Sequence, residues 1–116
     1  MGISGTVIQD SGYPAGNCVG QATREVTSSG AITVSATTDC NISVNKTSGA
    51  ATTVNLPSSP VTGLTFTISD GKGDAQSHQI SITPAAGNIS GQSSLILASN
   101  WASATIYYSG TQWLQK

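Results

Sequence analysis

The sequence predicts an all-β protein, an antiparallel sandwich or jelly-roll-like domain preceded by an extended N-terminal arm, and three observations predict it. Apolar residues alternate with hydroxyl-bearing ones, as in Leu64-Thr-Phe-Thr-Ile-Ser69 and Ile80-Ser-Ile-Thr83, a period of two that puts each apolar set on one face of a strand. Clusters of Gly, Pro, Asn, Asp and Ser interrupt these runs about every ten residues, the spacing of short strands in a two-sheet domain. No stretch carries a convincing helical repeat.

At 116 residues the chain is one domain by size, long enough to bury a single modest core. Only 8% of residues are charged and the net charge is -1, so no clustered Lys and Arg exist to hold a polyanion, and nucleic acid is not an expected partner. Ser, Thr, Asn, Gln and Gly take the place of charge. A sheet protein ordinarily defends its edges with Lys or Glu; this one hardly can, so its edges are expected to pair with or be covered by neighbouring copies.

Met1-Gly-Ile-Ser-Gly5 lacks a basic start followed by an apolar segment, and no apolar run approaches membrane-spanning length. The expectation is a soluble chain made in the cytoplasm, with no membrane partner. The Met1-Gly2 start with Thr6 matches a myristoylation pattern, but so short a motif is read as an ordinary start. Cys18 and Cys40 are the only cysteines. Without a secretory signal they are expected to be two reduced, separately placed thiols, and they are too few for a structural zinc site. The sequons at Asn41, Asn45 and Asn88 are chance matches in a chain rich in Asn, Ser and Thr, expected to be unused.

Residues 1–27 form the arm and residues 28–116 the β domain. The arm carries Gly at 2, 5, 12, 16 and 20, Pro14 and weak periodicity, with at most one short strand. Val7, Ile8, Tyr13 and Val19 supply apolar anchors by which it can be tied to another subunit. Strands then follow at Ala31–Ala36, Cys40–Val44 and Ala51–Leu56, the last closed by Pro57 and Pro60, which cannot donate to a ladder. Leu64–Ser69 and Gln79–Thr83 read as a hairpin across the turn Asp70-Gly-Lys-Gly-Asp74, whose residue types tolerate positive φ and bond their own backbone. Ser94–Ala98, Ala104–Ser109 and Gln112–Gln115 complete the set, the last two joined at Ser109-Gly-Thr111.

The hairpin turn gathers Asp70, Lys72, Asp74 and His78 in a nearly uncharged protein. Two carboxylates on a glycine loop are oxygen ligands for calcium, but calcium takes six to eight oxygens and Lys72 competes as a cation, so a turn held by Asp side-chain bonds is the reading and no metal is expected. His78 is the sole histidine, and no Gly-x-Ser-x-Gly turn accompanies it. Asp70 and Asp74 as a glycosidase pair lack a cleft on an exposed loop. No catalytic residues, cofactor or enzymatic activity are expected.

Trp101, Tyr107, Tyr108 and Trp113 are the second cluster, either a platform for sugar rings or, as preferred here, one face core and the other a subunit contact. Tyr107 and Tyr108 point to opposite faces of one strand, so at most one shares Trp113's face across the hairpin.

From Ile32 to Trp113 the chain resembles a β-domain family of tailed-phage virion proteins. The resemblance rests on Ile42-Ser-Val-Asn-Lys46, Thr53-Val-Asn-Leu-Pro57, Phe66-Thr-Ile-Ser-Asp-Gly-Lys-Gly-Asp-Ala75, the isoleucine strand ending in Pro84, Asn88-Ile-Ser-Gly91 and Ile106-Tyr-Tyr-Ser-Gly-Thr-Gln-Trp113. It covers about seven tenths of the chain and leaves out the arm. It implies a non-enzymatic virion structural protein, commonly a homotrimer, found in fibres, spikes and capsid decoration. A short arm with one compact domain fits a small capsid decoration or cement protein that docks on the major capsid protein or another virion protein. The alternative is a tail-fibre or spike module that binds host-surface glycans.

Overall fold

The structure is a computed structural model and describes residues 23–116. The arm anchors Val7, Ile8, Tyr13 and Val19 lie outside the described residues, as does Cys18. Nine strands make up the described chain: β1 (Thr23–Val26), β2 (Ile32–Thr33), β3 (Asn41–Val44), β4 (Thr52–Asn55), β5 (Thr65–Asp70), β6 (Ile80–Thr83), β7 (Leu95–Leu97), β8 (Ser103–Tyr108) and β9 (Trp113–Gln115). Among the described residues there is no helix. Residues 23–26, grouped with the arm on sequence, form a strand of the first sheet, with Val26 in the core.

The strands divide into a five-stranded sheet ordered β1-β3-β5-β8-β9 and a four-stranded sheet ordered β2-β4-β6-β7. All-β architecture in two sheets is as expected, but the pairing is not purely antiparallel. From β1 to β6 the chain alternates between sheets, so that β1 pairs parallel with β3, β3 with β5, β2 with β4 and β4 with β6. β1–β2, β3–β4 and β5–β6 are thus successive turns of a flattened coil. β7 then folds back antiparallel on β6, β8 antiparallel on β5, and β9 closes a hairpin with β8.

The expected hairpin between Leu64 and Ile82 is therefore corrected: β5 and β6 lie in different sheets. Alternation reports which face of a strand is apolar, and that face is the same whether the next strand pairs alongside or crosses to the facing sheet. The loop 71–79 is a crossover between layers. The hairpin at Ser109–Thr111 holds, with Tyr108 opposite Trp113.

Inward rows run across each sheet in register. Ile42, Ile68 and Ala104 form one, Phe66 and Ile106 the next, and Val54 with Ile82 faces them from the second sheet. All are buried in one core cluster with Leu56, Leu64, Ile89 and Trp113. The outward rows are hydroxyls: Thr67 Oγ1 meets Thr105 Oγ1 at 2.9 Å, and Ser69 Oγ meets Ser103 Oγ at 2.9 Å. Such cross-strand pairs satisfy polar groups laterally and keep the face wettable without charge.

Several of the few charges are spent inside. Lys46 is 2% exposed, its ammonium donating to the carbonyls of Gly30 at 3.0 Å and Ala51 at 3.1 Å, which ties the β1–β2 connection to the β3–β4 connection. Buried Asp39 accepts from Arg24 at 3.1 Å and from the Ser35 backbone at 2.7 Å. Cys40 is buried and disulfide-bonded. That corrects the expectation of a reduced thiol there, since spacing along the chain does not report the distance between sulfurs.

Candidate functional site

The inward row Val26–Val44 continues in register to Asp70, the last residue of β5. A carboxylate on the core face is costly unless its oxygens are satisfied, and here the loop that follows curls over it to supply donors. Oδ1 accepts from the backbone N–H of Lys72 at 3.2 Å and of Gly73 at 2.9 Å. Oδ2 accepts from Ala75 at 2.9 Å and from Trp101, on the loop between β7 and β8, also at 2.9 Å. Burial is the strongest influence on its pKa and pushes it up, but the backbone donors together outweigh it and hold the carboxyl below its ordinary value of 3.8. Asp70 is 2% exposed, whereas the sequence reading placed it on an exposed turn. Its role in that reading, holding the turn by side-chain bonds, stands.

Trp101 is the counterpart. It is 67% exposed, yet its backbone sits at φ 66°, a region that a bulky side chain rarely enters and that costs about 1–3 kcal/mol. The Asp70 carboxylate holds it there through the Trp101 N–H. A second bond, from the Gln76 N–H to Asn100 Oδ1 at 3.0 Å, fastens the same loop to the 71–79 crossover.

Gly73, itself at φ +81°, lies against the indole: a Cβ there would strike Cζ2, Cε2 and Cη2 together. Contact with three ring carbons at once is an approach over the face rather than at the edge. One face of the indole is therefore closed by glycine backbone.

On the same crossover loop, starting one residue past Gly73, Asp74 Oδ2 and His78 Nδ1 are 2.9 Å apart, with side chains 28% and 38% exposed. The pair packs against Gly49, where a Cβ would come within 2.9 Å of the imidazole. Three loops thus converge at one end of the sandwich, and they bring together Asp70, Asp74, His78 and Trp101. Among the described residues no three of His, Cys, Asp and Glu gather as a metal site, and both Asp70 oxygens are already directed at N–H donors.

The four aromatics do not form one cluster. Trp101 precedes β8, while Tyr108 ends it. At that far end Tyr108 meets Trp113 edge-on, centroids 5.4 Å apart, and Trp113 is tilted on Phe66 at 5.9 Å. Trp113 is core. Tyr107 lies on the outer face in register with Thr65 and Leu114. Pro57, Ser59, Pro60, Ala85, Tyr108 and Trp113 line a groove of about 370 Å³, with no charged residue in its wall among the described residues.

Sequence reasoning missed Asn100 and the link from Trp101 to Asp70. The one available signal was Trp101 itself, a lone large aromatic in the polar run Ala98-Ser-Asn-Trp-Ala-Ser103, where no alternation assigns it to a core. No family model and no curated protein matches this chain.

Proposed function

We propose that this is a non-enzymatic virion structural protein of a tailed phage, a small capsid decoration or cement protein that assembles as a homotrimer on the particle. The observation that carries the reading is the state of the sheet edges. Of the four edge strands among the described residues, β2, β7 and β9 contain no charged residue, and β7 turns Ile96 outward, half exposed. Uncharged edges invite pairing with another chain, and association covers them. The hydroxyl-faced sheets and the internal use of Lys46, Asp39 and Asp70 fit a scaffold whose charges hold loops in place. The arm ahead of β1, with Val7, Ile8, Tyr13 and Val19, is the segment assigned to docking on the major capsid protein or another virion protein.

Two measurements test it. Native mass spectrometry of the full chain is expected to give a trimer, and a stable monomer overturns the assembly. Antibody against the chain is expected to label phage heads, and deletion of residues 1–22 is expected to abolish decoration while leaving the trimer. Decoration that survives the deletion removes the arm's role, and labelling at the tail tip replaces decoration with the fibre or spike alternative.

A further inference from the structure

We infer that Trp101 is a carbohydrate-stacking platform, its open indole face receiving the C–H face of an uncharged hexopyranose while Asp74 and His78 of the crossover loop hydrogen-bond the ring hydroxyls. The inference does not depend on where the protein sits on a particle.

Three features carry it. The ring is prepared in advance: Asp70 holds the Trp101 backbone, Asn100 fastens its loop, and Gly73 backs one face of the indole. A ring held in this way loses little freedom when a ligand stacks on it. The strain at φ 66° is borne by a residue that is two-thirds exposed, so core packing does not explain why a tryptophan stands there. Strain at an exposed, over-determined residue is the kind that accompanies ligand contact.

The surroundings select the class of ligand. Among the described residues the other exposed large apolar side chains lie elsewhere, Val61 ahead of β5 at the opposite end from the crossover and Ile96 on the outer face of the second sheet. A protein hot spot is ringed by contacts that exclude water. Trp101 is set instead among polar chain: Gly73, against the indole, stands between Lys72 and Asp74 in sequence, and Asn100, the residue before Trp101, is bonded by the Gln76 N–H. A pyranose suits that setting, with apolar C–H groups for the π face and hydroxyls for a partly exposed carboxylate and imidazole. The two residues that flank Gly73, Lys72 and Asp74, carry opposite charges, which suits a neutral sugar.

The test presents the full chain to an array of uncharged oligosaccharides of gluco, galacto and manno configuration, and follows tryptophan emission in solution. Trp113 is buried but lines the groove at the other end, so the change in emission that reports Trp101 is the part lost in Trp101→Phe. Saturable binding of at least one glycan with a blue shift is expected, weakened about tenfold or more in Trp101→Ala and partly kept in Trp101→Phe. Trp101→Gly, which accommodates φ 66°, is expected to lose binding with no loss of thermal stability, separating recognition from folding. A blank array overturns the inference, whatever protein is found to contact Trp101. So does binding that is undiminished in Trp101→Ala, or binding confined to charged glycans. Particle labelling and trimer mass read the proposed function independently.

Discussion

Asp70 shows how a single side chain decides a local structure. Its four backbone hydrogen bonds shape the 71–75 turn and position Trp101 across a gap of thirty residues in sequence. Removing the carboxylate in Asp70→Ala strands these donors, and a loss of at least ~3 kcal/mol is expected, measured by urea unfolding. The carboxyl has a lowered pKa in the folded state, so the unfolded chain binds the proton more tightly. Its contribution is complete above the ordinary carboxylate range, around pH 4, and disappears as pH falls through the lowered value. Wild-type stability should therefore drop below pH 4 more steeply than that of Asp70→Asn. Parallel pH profiles would refute the assignment. The Asp-Gly-Lys-Gly-Asp run was legible as a turn with side-chain bonds to its backbone. That Asp70 points into the core was not, because it depends on the β5 face established by Phe66 and Ile68.

Among the elements, β5 holds the first sheet together. It pairs with β3 on one side and β8 on the other, joining the coil of parallel strands to the antiparallel strands that close it. Ile68 is fully buried in its middle, in register with Ile42 and Ala104. Ile68→Ala is expected to cost about 2–5 kcal/mol through lost burial and the cavity left behind. Thermal unfolding followed by circular dichroism checks it, and a change under 1 kcal/mol would mean that this row is not the core. From β3 onward the strands were readable from alternation to within a residue; β1 was grouped with the arm, and the strand expected at Ala31–Ala36 ends at Thr33. Their partners were readable only for β8 and β9, where a short turn leaves one neighbour within reach.

For the whole molecule, the consequence of the coil is that contacts are non-local. Each parallel pair is separated by a strand of the other sheet and two connections, so loop-closure entropy is spent before pairing returns it. Refolding from denaturant is expected on the order of milliseconds to seconds, followed by stopped-flow tryptophan fluorescence through buried Trp113. Completion in microseconds would contradict the pairing order.

By itself the sequence determined an all-β chain, the position of nearly every strand, the faces that become core and the turn residues between them. These follow from local periodicity and backbone preference. Only the tertiary structure decided that the strands coil between two sheets, that Asp70 is buried and Trp101 presented, and that Trp101 and Trp113 stand at opposite ends of β8. Strand pairing and the reach of a carboxylate to a distant N–H are set by proximity in space, and alternation along a chain carries no measure of that distance.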